Sequence, residues 1–134
     1  MITVKVNSLD HVVLNVSDAE RSLAFYAGIL GLRPERTDEF RSGRVPFPSV
    51  RIDARTIVDF LDPAHRGVTP PDRNLNHIAL ALANAPAEIA EFLKERGIPI
   101  VREMMDNFGA QGETAHSFHV LDPDGNLLEL QAYE

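Results

Sequence analysis

Leu9, His11, Leu14 and Gly31 recur as Leu75, His77, Leu80 and Gly97, each pair 66 residues apart. Self-similarity at one fixed offset marks a duplicated unit, so the two halves must adopt matching folds. Residues 9–16 (LDHVVLNV) and 75–82 (LNHIALAL) are aliphatic runs that read as strands. After the first, Ser17 and Asp18 offer a cap, and Glu20 completes a capping box with Ser17, opening a helix near Ala19. Leu23, Ala24, Tyr26, Ala27 and Leu30 then fall at helical spacing up to Gly31. The second helix is expected over about 85–96, with Ile89, Phe92 and Leu93 on one side. Three strand-like segments complete each half, about 33–40, 48–53 and 55–61 in the first and about 98–104, 115–121 and 126–133 in the second. Each half therefore reads βαβββ. The expected fold is α+β: two such modules in tandem, forming a curved sheet with helices on its outer face. The 134 residues suit a single domain. Module one covers about 1–66 and module two about 74–134. A linker of about 62–73 is marked by Asp62-Pro63 and Pro70-Pro71-Asp72, since proline removes a donor and favours extended chain.

Side-chain alternation assigns faces to this framework. Asp122-Pro123-Asp124-Gly125 reads as a tight reversal. In the strand that follows, Leu128, Leu130 and Ala132 share one face, and Leu127, Glu129 and Gln131 the other. Glu129 is thus a carboxylate in an apolar strand, costly to bury unless paired or bound to a metal. In the opening strands Val12, Leu14 and Val16 match Ile78, Leu80 and Leu82, so His11 and His77 face away from the helices. Asp59 is the first half's counterpart of Glu129, on a face with Ile57 and Leu61. Each half offers one histidine and one carboxylate to a common concavity. Imidazole and carboxylate donors suit one divalent ion of Fe, Mn, Co, Ni or Zn, with positions left open for substrate. The expected metal ligands are His11, His77 and Glu129, with Asp59 as a fourth whose shorter side chain has to reach.

Composition narrows the chemistry. Without cysteine there is no disulfide, thiolate nucleophile or thiolate metal site. Thirteen Lys and Arg against 20 Asp and Glu give a net charge of −7, which argues against a nucleic-acid surface and for a small-molecule partner. No run approaches the roughly 18 apolar residues of a membrane span, and the N-terminus lacks the pattern of a secretory signal, so a cytoplasmic protein is expected. A homodimer is expected because an open sheet has edges to protect.

His119, sharing a face with Ser117 and Leu121, is expected to look into the concavity and to move a proton, with a pKa near neutrality. His116 faces the other way, and His65 reads as a solvated loop residue. Residues 40–48 read as a loop that can cover a pocket, and Arg44 and Arg51 flank its Pro46-Phe47-Pro48 segment. Each has a fork suited to a carboxylate or phosphate, although surface charge is the commoner role. Phe25 and Tyr26 read as core. Met104 and Met105 lie near the start of an expected loop through Gly112, at the pocket entrance, where methionine adapts to varied ligands.

The paired LDHVVLNV and LNHIALAL strands, the AFYAGILGL helix end and the FHVLDPDGNLLELQ hairpin resemble the vicinal oxygen chelate superfamily over nearly the whole chain. That group includes glyoxalase I, extradiol dioxygenases, fosfomycin-resistance thiol transferases, methylmalonyl-CoA epimerase and metal-free bleomycin-resistance proteins. The resemblance implies paired βαβββ modules forming a U-shaped mixed sheet around a metal held by His11, His77 and Glu129. Asp59 falls where glyoxalase I has a glutamate ligand, a departure that leaves three-ligand and four-ligand sites both open. His119 occupies a position where relatives place a substrate-contacting side chain. The implied function is a divalent-metal enzyme acting on a small molecule that chelates through vicinal oxygens, either a dioxygenase or a glyoxalase-like lyase or isomerase. The alternative is a non-catalytic antibiotic-binding protein.

Overall fold

The computed structural model describes residues 1–65, 74–113, 116–123 and 125–133. The opening strand is Val6–Asn15 (β1), followed by a helix, Ala19–Leu23 (α1), that continues as a π-helical stretch over Ala24–Ile29. Asp18, not Ser17, caps it. The Asp18 backbone is extended and its carboxylate accepts the N–H groups of Glu20 and Arg21, placing a negative charge at the positive end of the helix. Beyond the helix, Gly31 takes the positive φ that turns the chain back toward the sheet.

The next strand is shorter than expected. Arg33–Glu35 (β2) stops where Arg36 adopts a left-handed backbone, and Thr37–Arg41 (α2) forms a helical turn instead of continuing the strand. Asp38 and Glu39 lie in the first turn of α2, where acidic side chains favour helix. Ser49–Arg51 (β3) and Ile57–Leu61 (β4) complete this half, and Pro63–His65 forms a single 3₁₀ turn. The rest of the expected linker, 66–73, lies outside the described residues.

The second half comprises Leu75–Leu82 (β5), Pro86–Glu95 (α3), Arg102–Met105 (β6), Phe108–Gly109 (β7), Gly112–Glu113 (β8), His116–Leu121 (β9) and Leu127–Ala132 (β10). α3 opens with proline at its first position, and the Ala85 N–H donates to the Glu88 carboxylate. The entrance loop contains the small β7–β8 hairpin, which alternation did not signal because its strands have only two residues each.

Eight strands form one mixed sheet in the order β2-β3-β4-β1-β5-β10-β9-β6. β1 and β5 pair antiparallel at its centre, while β4 and β10 run parallel to them on either side. Outward from the centre the halves follow equivalent orders, so the duplication is visible in topology as well as in sequence. One face packs on the helices through two apolar clusters. Leu82, Ile89, Leu93, Phe118, Val120, Leu130 and Ala132 form one, and Ala19, Leu23, Val50 and Phe60 the other. Each fully buried Leu, Ile or Phe side chain contributes about 1.5–3 kcal/mol of transfer free energy. The opposite face is costly by comparison, because it buries His11, Asp59, Ser117, His119, Glu129 and Gln131. No described helix is long and apolar enough to cross a membrane.

Candidate metal centre

Strand register assembles the polar face. Arg102 pairs with His119, His119 with Glu129, Glu129 with Ala79, and Ala79 with His11. Cross-strand partners share a face, so one row crossing five strands presents an arginine, two histidines and a glutamate to one side. Ala79, fully buried between His11 and Glu129, is small enough for both side chains to lean over it. The adjacent row pairs His77 with Val13, Val13 with Asp59, and Asp59 with Ser49.

The side chains converge on one carboxylate oxygen. Glu129 Oε1 lies 3.2 Å from His11 Nε2 and 3.1 Å from His77 Nε2. One ligand atom from each of these three residues lies within 4.8 Å of the others, a grouping able to hold a metal ion. All three come from a single chain. His119 Nε2 stands 3.8 Å from the same Glu129 oxygen, just outside the group. Asp59 is also outside it: Oδ2 is 3.9 Å from His11 Nε2, while Oδ1 accepts the Ser49 hydroxyl and lies 3.6 Å from an Arg36 nitrogen.

Both imidazoles are tethered from behind. His11 Nδ1 lies 2.7 Å from Asp10 Oδ2, and His77 Nδ1 lies 2.7 Å from Asn76 Oδ1. Neighbouring residues in a regular strand point to opposite faces, yet here each partner immediately precedes its histidine. The β1–β5 register slips between Leu9 and His11, and again between Val13 and Leu14 opposite His77 and Leu75. These two bulges, at Asp10 and Asn76, swing both side chains toward their histidines. Asp10 is fully buried and also accepts the Ala110 N–H and the Tyr133 hydroxyl. Gly109 makes this possible, because a Cβ there would lie 2.4 Å from both Asp10 Oδ2 and Tyr133 OH.

These tethers test whether a cation fits. An acceptor at Nδ1 places the proton there, leaving the neutral ring's lone pair on Nε2. Two such lone pairs then face one carboxylate oxygen, an arrangement that repels unless protons or a cation lie between. Without metal, a proton on His11 takes that place. Burial opposes charge on His11, but hydrogen bonds to Asp10 and Glu129, with the Asp59 and Glu129 charges, outweigh it and push its pKa up to about 10. Burial likewise raises Glu129, yet the hydrogen bonds from His11 and His77 prevail and hold its pKa well below the usual carboxylate range. Two neutral nitrogens and one carboxylate are also a donor set suited to divalent transition metals.

The flanking groups differ. Burial raises the Asp59 pKa despite nearby His11, Ser49 and Arg36. Burial lowers His119 to about 4, not the near-neutral value expected from sequence, and the Glu129 charge only partly opposes this. His119 Nδ1 has no hydrogen-bond partner among the described residues, so its ring is not held in one tautomer as the other two are.

The centre lies in a cavity of about 410 Å³, walled by Val13, Pro46, Phe47, Leu61, Met104 and Phe108. His65 lines it too, although its ring is partly exposed and lies against Asp62. Arg44 and Arg51 do not line it. Arg51 is taken up by Glu35 and by the carbonyls of Asp53 and Ala110, and Arg44 donates to Ser42. His116 lies beside Glu103, Tyr26 packs on Phe60, and Phe25 is about half exposed. Asp10, Asn76, Arg102 and Phe108 were not among the candidates from sequence. For Asp10 and Asn76 the repeat carried the signal, since they too lie 66 residues apart, but strict alternation assigns them to the other face.

Residues 8–130 match the family described as the Glyoxalase/Bleomycin resistance protein/Dioxygenase superfamily, and the chain belongs to it. It is 34% identical to a lactoylglutathione lyase of Salmonella typhimurium over 123 residues, covering 90% of this chain and 88% of that protein. It is 29% identical to virulence protein STM3117 of the same species over 128 residues, covering 96% and 85%. Among solved structures, a catechol 2,3-dioxygenase superposes with a TM-score of 0.67 at 25% identity, over 96% of this chain and 42% of the dioxygenase. The chain thus spans less than half the length of that enzyme.

Proposed function

We propose that the protein is a divalent-metal-dependent enzyme of this superfamily, acting on a small molecule through two adjacent oxygen atoms by glyoxalase-type proton transfer. The observation that carries the proposal is the meeting of two Nδ1-tethered imidazoles on one oxygen of Glu129. His11, His77 and Glu129 would hold the ion, and Asp59 stands aside as a non-ligand. When bound, the cation supplies Lewis acidity to the two substrate oxygens.

His119 and Asp59 flank the ligand set, one beside Glu129 and the other beside His11. In this reading they hold and move protons at Nε2 and Oδ2, which suits an isomerisation or lyase step between neighbouring carbons. Phe47, Phe108 and Leu61 give the cavity beside them an apolar wall. The lactoylglutathione lyases, matched over most of their length, support this branch. The three-donor set with open positions supports a second reading, an extradiol-type dioxygenase with Fe(II). A single domain over residues 1–134, a homodimer using the open edges at β2 and β6, and a cytoplasmic location complete the proposal.

The test is to strip the protein with chelator, reload it separately with Fe(II), Mn(II), Co(II), Ni(II) and Zn(II), and measure metal after desalting. One ion per chain is expected with at least one metal. That form should isomerise a glutathione hemithioacetal; oxygen uptake with catechol would instead select the dioxygenase branch. Retention of none of the five ions would end the proposal.

A further inference from the structure

Among the described residues, the cavity holds one guanidinium whose donors are uncommitted. Arg36 donates to Ser49 and sits 4.2 Å from the centre of the Phe108 ring, while Arg51 braces Glu35 and the Ala110 carbonyl. Arg102 lines the cavity and is exposed, and its side chain forms no hydrogen bond or ion pair with any described residue. Its place is fixed by the β6–β9 pairing, which sets it directly across from His119 and at the end of the row that reaches Glu129 and His11. Neighbouring strands lie roughly 4.8 Å apart, so Arg102 stands about two strand spacings from Glu129, a small molecule's length from the metal centre.

Charge and shape agree on what would fill that interval. Among the described residues lining the cavity, Asp59 and Glu129 are the acids and Arg102 the sole arginine. A divalent ion added to them leaves one net positive charge. The chain as a whole carries −7 and repels anions at long range, so accepting an anion requires a local cation. The walls between the two ends are apolar and partly aromatic: Phe47 and Phe108 have ring centres 6.1 Å apart, with Met104 and Leu61 also on the lining.

We propose that Arg102 is the specificity-determining residue of this pocket, selecting substrates that carry a carboxylate at the end opposite their metal-chelating oxygens, with an apolar or aromatic body between. The inference rests on the metal-enzyme reading above and adds the substrate class to it. Arg102 acts on binding, and the chemistry remains with the groups around Glu129. A guanidinium fork suits a carboxylate, offering two parallel donors that a lysine cannot present.

The test compares 3,4-dihydroxybenzoate with 3,4-dihydroxybenzamide, which differ in the charge at the far end of the ring. Both are titrated by calorimetry into metal-loaded wild-type protein and Arg102→Gln, with metal content measured on the same samples. The wild type is expected to bind the carboxylate about tenfold more tightly than the amide. In Arg102→Gln that preference should vanish while amide affinity and metal content hold, and the four-way comparison removes any intrinsic difference between the probes. Three results would overturn the assignment with the metal reading intact: equal binding of the probes by the wild type, binding of neither, or a preference that survives in Arg102→Gln. A protein that retains no metal takes both readings down together.

Discussion

The two halves of the sheet place equivalent residues at equivalent points and then treat them differently. His11 and His77 arrive from matching strands, each tethered at Nδ1 by the residue before it. The carboxylates part company. Glu129 sits where the two Nε2 atoms meet, whereas Asp59 is drawn aside by the Ser49 hydroxyl and approached by Arg36. Arg36 is available because the first half's second strand ends at it in a left-handed turn and gives way to α2. The corresponding strand of the second half ends at Asp106, also with positive φ, and leads to the β7–β8 hairpin. Duplication supplies two acids, and local hydrogen bonding decides which one is left to face a cation.

The largest expected effect tests that division directly. Glu129→Gln should abolish stoichiometric metal binding, because removing a ligand costs more than the roughly 10- to 100-fold typical of lost supporting contacts. Asp59→Asn should retain one ion per chain with affinity within a few-fold of wild type, as its amide can still accept from Ser49. Metal analysis and competition with a chromophoric chelator measure both. Equal losses in the two variants would mean that Asp59 is a fourth ligand and that the halves are closer to symmetric than the geometry implies.

The tethers offer a finer contrast. Asp10 brings a full negative charge and is braced by two further donors, while Asn76 brings an amide dipole and is itself held through its donation to Asn15. Asp10→Ala is therefore expected near the 100-fold end of the loss in metal affinity and Asn76→Ala near the tenfold end. Asp10→Asn should fall between them. Circular dichroism on each variant separates misfolding from misorientation. A loss in Asn76→Ala as large as in Asp10→Ala would show that the carboxylate's charge contributes nothing beyond holding the ring.

What could be read in advance follows the same physics. The 66-residue repeat and the alternation of apolar residues carry the element order, the helix-facing side and the common face of His11, His77, His119 and Glu129, because these depend on local periodicity. Asp10 and Asn76 escaped because a bulge overrides alternation, and a bulge is a property of two paired strands. Thr37–Arg41 escaped because its five residues are too few to establish a helical period. Arg102 has no local signal in the sequence; only the register of β6 on β9 places it across from His119. The depressed pKa of His119 likewise depends on burial that its own strand does not encode.

The smallest expected effect lies at the far end of the Asp10 network. Tyr133 donates its hydroxyl to Asp10 and accepts the Gln111 N–H, so it ties the final strand to the hairpin and to the residue that orients His11. Burial and the Asp10 carboxylate both raise the phenol's pKa, so the hydroxyl keeps its proton and the bond persists through neutral and mildly alkaline pH. Tyr133→Phe deletes one donor to Asp10 while His11 and the Ala110 N–H remain, and water can serve the exposed Gln111. The expected cost is about 1 kcal/mol of stability by denaturant titration. Metal affinity should fall by less than in Asp10→Ala, since the carboxylate still holds the ring. A Tyr133→Phe variant as poor in metal as Asp10→Ala would show instead that Asp10 cannot orient His11 without the phenol, and that the first half's tether depends on the last strand of the second.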